Sequence, residues 1–312
     1  MDFNKSILYG ISNKKWLSEL LRIEKSKLRD IRSNFNVAPF EKNVNGKNRE
    51  LYNAGKVHKC ALKRVVKYLQ LIDIPDYIHG GVVRKSYVTN VESHKGNKYG
   101  VIVDISDFFP STDGQRVFNF FRYDMTQSTD IAKIMTELTT VLKGTRSFLP
   151  QGFPTSPILS FLAYHKMYER LNDYAMAQGF TFSAYYDDLT FSSKKRISKR
   201  SLKEIVKIIE SYSLEINLNK SKIRKLDYSK ITGCVIIGNE LRAPNKLQKE
   251  THDLFLRIKN GNLSDNELSK LLKQFSGKLS AIQMIEKNRK FPNYLKLIED
   301  KKLELRRRDG NF

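Results

Sequence analysis

The sequence predicts an α+β fold, and three observations predict it. Apolar residues recur at helical spacing near both ends of the chain. A short apolar run, residues 99 to 105, carries the acidic Asp104 near its end. An alternating stretch, residues 180 to 191, turns at Asp187 and Asp188 and reads as a hairpin. Helices packed against an antiparallel sheet satisfy all three.

The elements follow in order. Ser12 precedes Trp16, Leu20, Leu21, Ile23, Leu28 and Ile31, which predict an opening amphipathic helix. Residues 40 to 52 hold Asn45-Gly46 between strand-like flanks and predict a hairpin. Val57, Cys60, Ala61, Val65, Leu69 and Ile72 mark a helix that stops before Pro75. Gly80-Gly81 breaks the pattern, and a short segment with Asn90 and His94 leads into the strand that carries Asp104. Helices are expected over residues 113 to 122 and 129 to 143. After Pro157, Leu159, Leu162, Met167 and Leu171 predict one long helix closed by Gly179. Ser201 and Glu204 read as a capping box for the next helix. Strands are expected over residues 215 to 218 and 231 to 237, with Gly238-Asn239 as a turn. From Asn245 the chain reads as helical to a basic end at Arg306, Arg307 and Arg308, with a second capping box at Ser264 and Glu267.

Charge narrows the partners. Among 312 residues, 56 Lys and Arg face 33 Asp and Glu, a net charge of +23 that favours a polyanion such as nucleic acid over a merely basic surface. Cys60 and Cys234 stand in no metal-ligand spacing, so neither a zinc site nor a disulfide framework is supported, and both are expected as small buried residues. No apolar run approaches the ~20 residues that span a bilayer, and none near the N-terminus has signal length. A cytoplasmic protein without a membrane partner is expected.

Three stretches carry the chemistry. Residues 101 to 111 contain Asp104; residues 149 to 157 read Leu-Pro-Gln-Gly-Phe-Pro-Thr-Ser-Pro; and Tyr185-Tyr186-Asp187-Asp188 places Asp187 83 residues after Asp104. An Asp-Asp pair at a turn has a plain explanation, because aspartate favours turns. In this order and on a basic chain, the three stretches describe the palm of a polymerase. Asp104 and Asp187 would hold two Mg²⁺ ions, the backbone oxygen of Ile105 would complete one shell, and Asp188 would ligate more weakly or hold the geometry. Phe109 is placed to exclude a ribose 2′-hydroxyl and so to select dNTPs, while Phe108 is expected in the core. Gln151 and Gly152 fit a loop whose backbone approaches the nucleotide. Arg49, with Lys47, could swing onto the triphosphate from the hairpin. Lys222, one of twelve basic residues between Lys194 and Lys230, could protonate the leaving pyrophosphate or simply face phosphates. The expected domains are fingers over residues 1–98, palm over 99–243 with an insertion at about 113–148, and a helical thumb over 244–312.

The three motifs resemble those of reverse transcriptases, and further residues resemble the bacterial retron branch. Asn90-Val-Glu-Ser-His94 is similar to the Asn-Ala-x-x-His element of retron enzymes, Ile231-Thr-Gly233 to their Val-Thr-Gly, and Phe275-Ser-Gly-Lys-Leu-Ser280, with Pro292 and Leu295, to their thumb. The resemblance implies a right-hand polymerase of fingers, palm and thumb that copies a structured noncoding RNA. Priming would start from the 2′-hydroxyl of a branching guanosine, and the product would be the covalent RNA–DNA hybrid msDNA. It further implies that Asn90 and His94 help position the RNA or the priming site. Lys246, Lys249, Arg257 and Lys259 would grip an RNA stem. An effector (toxin) protein and a role in defence against phage are implied in the same way. The usual Tyr-Ala-Asp-Asp departs here to Tyr186, a larger side chain beside the metals, and no RNase H, maturase or endonuclease domain is expected. Two rivals stand beside this reading: a defence reverse transcriptase with untemplated or protein-primed synthesis, and a noncatalytic RNA-binding scaffold for a toxin.

Overall fold

A computed structural model describes residues 1–44 and 46–308 of the chain. After a 3₁₀ turn at Phe3–Lys5, α1 (Lys14–Leu21) starts at Asn13, whose side chain accepts from the Lys15 amide at 2.7 Å. The cap thus falls one residue after Ser12. Arg22, at φ 52°, ends the helix early, so Ile23 and Leu28 are buried from irregular chain and Ile31 from α2 (Ile31–Asn34). β1 (Pro39–Val44) and β2 (Lys47–Tyr52) pair as the predicted hairpin, of which Asn45 lies outside the described residues. α3 (Lys56–Leu69) buries Ala61, Leu62, Val65 and Leu69 on one face, as its spacing requires, but leaves Cys60 exposed. α4 (Tyr87–Glu92) precedes β3 (Tyr99–Asp104), α5 (Phe108–Ser111) and α6 (Gly114–Asn119), which runs on as a π-helical turn, Phe120–Asp124.

The helix expected over residues 129 to 143 stops sooner. α7 (Thr129–Thr139) ends where the hydroxyls of Thr139 and Thr140 bond back to the carbonyls of Met135 and Thr136, at 2.8 and 2.7 Å. The β-branched run that follows favours extended chain. It forms β4 (Val141–Lys143), which Gly144, at φ 60°, turns back into β5 (Arg146–Phe148). The long helix expected after Pro157 is two, α8 (Ser156–Ala163) and α9 (His165–Ala177), separated at the buried Tyr164. β6 (Thr181–Tyr185) and β7 (Asp188–Ser193) form the predicted hairpin. α10 (Lys199–Glu210) is capped by Ser198, which accepts from the Ser201 amide at 3.0 Å, three residues before the predicted box.

The strand expected at 215 to 218 is a single bridge between Ile216 and Ile105, followed by a turn in which the amides of Lys220 and Ser221 both bond to Asn217 O. β8 (Lys222–Lys225) comes after it. The strand expected at 231 to 237 is broken by Thr232 and Gly233, at φ 39° and 99°, into β9 (Lys230–Ile231) and β10 (Cys234–Ile237), with β11 (Glu240–Arg242) after the turn. α11 (Asn245–Asn260), α12 (Asp265–Ile285) and α13 (Pro292–Arg308) complete the chain, and the Ser264 amide donates to Glu267 at 3.2 Å in the predicted capping box.

These elements form two compact units. The first comprises Met1–Ser86 and Tyr99–Ile223. Its central sheet has the order β6-β7-β3, with the first half of β8 at the edge of β3, and one apolar core joins Leu17, Leu62 and Val65 to Val101, Leu162 and Phe191. The segments expected as fingers and palm share this core. The second unit comprises Tyr87–Lys98 and Arg224–Phe312, so the segment with Asn90 and His94 belongs with the helical C-terminal part. Its core is Ile258, Leu268, Leu271, Leu272, Phe275, Leu279 and Ile298. Among the described residues no helix is long and apolar enough to cross a membrane.

Candidate active site

The sheet of the first unit brings the remote acidic residues together. β3 and β7 run antiparallel in a register that sets Asp104 directly opposite Asp188, with the buried Val103 opposite Leu189 behind them. Directly opposed residues in such a ladder have Cα atoms about 4.5 to 5.5 Å apart. Tyr186 and Asp187 form the two-residue tip between β6 and β7, and the Ile105 amide donates to Asp187 O at 3.0 Å. The strands are locked by their apolar alternation, because a one-residue slip would turn Val101 and Val103 outward and Asp104 away from the site.

The tip itself is strained. Tyr186 sits at φ 56°, a conformation that a tight hairpin turn demands and that side chains other than Gly and Asn resist. Its carbonyl accepts from the Tyr168 hydroxyl at 3.2 Å. Gly80 lets the ring in, since a Cβ there would lie 2.5 Å from the Tyr186 nitrogen and 2.7 Å from its Cδ1. Such strain persists only where surrounding contacts hold it, and it is commonest at functional sites.

A cavity of about 760 Å³ opens over this tip, with Asp104, Ile105, Phe109, Asp187, Gln151 and Arg49 among its walls. Phe108 is 3% exposed and packs in the core, while Phe109 is half-buried at the wall, so the two adjacent rings of this short helical turn face different surroundings. The Phe109 ring lies 6.0 Å from that of Phe108 and 6.1 Å from that of Tyr186. Gln151 reaches the wall from a loop stapled to β2, because the Tyr52 amide donates to Gln151 O at 2.8 Å. Gly152, at φ 114°, is needed for a different close approach than the sequence suggests. A Cβ there would lie 2.3 Å from Tyr52 O, so its missing side chain admits the end of the hairpin rather than a nucleotide.

Lys222 is not on the wall. It stands exposed at the start of β8, and Lys220, two residues earlier, faces the site instead. The turn at Asn217 explains the offset, because it curls the chain so that Lys220 Nζ donates to Asp104 Oδ2 at 2.7 Å. The bond raises the Lys220 ammonium's pKa, whereas burial raises that of Asp187, with nearby Asp104 adding to it. Burial, then Asp187 and Asp104, push Asp188 up to about 7. Three carboxylates crowded in a low-dielectric site thus draw on Lys220, on Arg49 near Asp187 and on protons for compensation.

The residues fit divalent metal ions, which prefer hard carboxylate oxygens and would supply the missing positive charge. Asp104, Asp187 and Asp188 are the residues that would hold them. Among the described residues no three His, Cys, Asp or Glu side chains already close on an ion, and Lys220 stands at Asp104.

The other predicted contacts lie in the second unit. Asn90 and His94 are fully buried there, and Asn90 Nδ2 donates to Thr232 Oγ1 at 3.2 Å. Direct contact with RNA is not what this burial permits; Asn90 instead ties α4 to the β9–β10 turn. Lys246, Lys249 and Arg257 are exposed on α11 and fall within about 80° of one another at 100° per residue. Sequence reasoning missed Lys143 and Arg146, which line the cavity from the unpredicted β4–β5 hairpin, and Glu50, which Lys143 meets at 2.6 Å. Their only sequence signal was the Gly144 turn between two basic residues.

Paired carboxylates at a strand end and a hairpin tip, in a cleft rimmed by Arg and Lys, have the arrangement that metal-assisted nucleotidyl transfer requires. The chain matches the family described as Reverse transcriptase (RNA-dependent DNA polymerase) over residues 45–249, and it belongs to that family. Curated relatives include the Retron Se72 reverse transcriptase of Salmonella heidelberg (strain 579083-10), 27% identical over 66% of this chain and 56% of that one. The Retron Mx162 reverse transcriptase of Myxococcus xanthus is 33% identical over 53% of this chain and 39% of its own. The Retron Ec86 reverse transcriptase of Escherichia coli is 30% identical over 59% and 56%. The chain therefore spans about half the length of these relatives or less. Among solved structures, that of a foamy viral protease-reverse transcriptase in complex with ds DNA matches with a TM-score of 0.42 and 17% identity, over 87% of this chain and 43% of that one.

Proposed function

We propose that the protein is a Mg²⁺-dependent RNA-directed DNA polymerase of the retron type. It copies a structured noncoding RNA, starts from an RNA 2′-hydroxyl, and leaves the DNA joined to that RNA as msDNA. The observation that carries the reading is the register of β3 on β7, which sets Asp104 against Asp188 and brings Asp187 into the same cavity. Two Mg²⁺ ions held there would activate the attacking hydroxyl and offset the charge of the departing pyrophosphate.

The protein's own groups do the rest. A hydroxyl oxygen attacks the α-phosphorus, the bond to the β-phosphate oxygen breaks, and pyrophosphate leaves. Arg49 and Lys143, at the wall, meet the negative charge of the triphosphate. Phe109 occupies the space a ribose 2′-hydroxyl would need, which selects dNTPs. Lys220 takes the role expected of Lys222, as the ammonium that faces the cavity. Lys246, Lys249 and Arg257 present α11 to RNA phosphates, and binding weakens with salt accordingly. An accompanying effector protein and a part in defence against phage belong to the same retron reading.

The test is the purified protein with its RNA and labelled dNTPs. Asp187→Asn with Asp188→Asn abolishes incorporation and leaves RNA binding largely intact; extension by the doubly substituted protein would refute the assignment.

A further inference from the structure

The turn that carries Phe109 is too short to hold its own shape. α5 is four residues long, and a single turn fixes several backbone angles for few hydrogen bonds. Pro110 removes one donor, and the N-cap Asp107 sits at φ 43° with a side chain that caps nothing. Thr112 satisfies the Phe108 carbonyl with its amide at 3.1 Å and its hydroxyl at 2.9 Å, and its amide also reaches Phe109 O at 3.0 Å. The last two carbonyls are held by distant elements. The Tyr164 hydroxyl donates to Ser111 O at 3.3 Å, and Arg146 Nη2 donates to Pro110 O at 2.7 Å. The Arg146 guanidinium lies 5.6 Å from the ring centroid of Phe148 on the same strand. β5 is itself fixed to the end of the turn, since the Leu149 amide donates to Thr112 O at 3.0 Å.

Resting on the reading of Phe109 as the sugar gate, we infer that Arg146 is the positioning residue of that gate. By holding the carbonyl next to Phe109 it sets how far the ring projects into the cavity. The planar guanidinium suits the place, because it can lie over Phe148 while its edge donates to a backbone oxygen. Arg146 also lines the nucleotide cavity, so a plain phosphate contact is the competing role. The two separate cleanly. A dNTP and the matching rNTP carry the same triphosphate, so a lost phosphate contact weakens both alike, whereas a loosened gate changes their ratio.

The experiment measures kcat/KM for dNTP and rNTP in primer extension by the parent chain, Arg146→Met, Arg146→Lys, Phe148→Leu and Phe109→Ala. Arg146→Met is expected to lower the dNTP-to-rNTP ratio about fivefold, the factor that ~1 kcal/mol produces. Arg146→Lys restores part of that ratio by keeping a donor. Phe148→Leu lowers the ratio in the same direction and decides the matter should Arg146→Met fail to fold. A parental ratio in Arg146→Met, or in Phe148→Leu in its place, while Phe109→Ala admits ribonucleotides, overturns the inference and leaves the gate standing. An unchanged ratio in Phe109→Ala overturns both.

Discussion

Gly152→Ala tests whether the loop behind Gln151 is set by the hairpin. The added methyl would lie 2.3 Å from Tyr52 O and 3.3 Å from its carbonyl carbon, about 1 Å inside ordinary contact with the oxygen. The backbone angle of 114° adds strain of roughly 1–3 kcal/mol for a residue with a Cβ. Relief of the clash moves the loop off Tyr52 and breaks the bond from its amide to Gln151 O, worth about 0.5–1.5 kcal/mol. The expected loss is therefore about 2–4 kcal/mol. Gly10→Ala is the control, since Gly10 also has positive φ but nothing within 4 Å of the added atom. Urea denaturation followed by far-UV CD gives the stabilities, and single-nucleotide extension gives KM for dNTP. Gly152→Ala should lose more stability than Gly10→Ala and should also raise KM, because β2 carries Arg49 and the loop carries Gln151 into one cavity. Parental stability and KM in Gly152→Ala would refute the packing argument.

Two other outcomes follow. Asp188, raised to about 7 in the folded chain, contributes its stability in full only below the unfolded value near 3.8 and loses it as pH rises through 7. Metal-free Asp188→Asn should therefore gain on the parent between about pH 4 and pH 7, by at most ~4 kcal/mol at pH 8, and a gap that is flat with pH in chemical denaturation contradicts the burial of Asp188 beside Asp187 and Asp104 as the cause. Lys220→Ala should slow incorporation far more than Lys222→Ala in single-turnover extension; equal losses would return the role to Lys222.

The three aspartates were legible because each rests on a short-range pattern, an apolar strand or an alternating hairpin, whose faces local sequence dictates. The antiparallel register that joins them then follows from burying Val101, Val103, Leu189 and Phe191 together. Lys220 was not legible. It lies two positions from Lys222 among twelve basic residues, and only the turn at Asn217 decides which one reaches Asp104. The β4–β5 hairpin was hidden by the helical spacing of Ile131, Ile134, Met135 and Leu138, which continues almost to its start. Gly152 and Tyr52 are distant in sequence, so their contact leaves no local mark. Asn90 and His94 have the composition of a polar surface site, and their burial depends on packing within the second unit that spacing does not encode.

The proposed reaction needs Asp104, Asp187 and Asp188 to hold the metal ions for DNA synthesis together. Its most direct test is an anomalous difference map from crystals of the protein with template, primer and a non-reactive dNTP analogue, grown with Mn²⁺ in place of Mg²⁺. Two peaks bounded by these carboxylates are predicted. Peaks elsewhere, with Lys220 still bonded to Asp104, would contradict it.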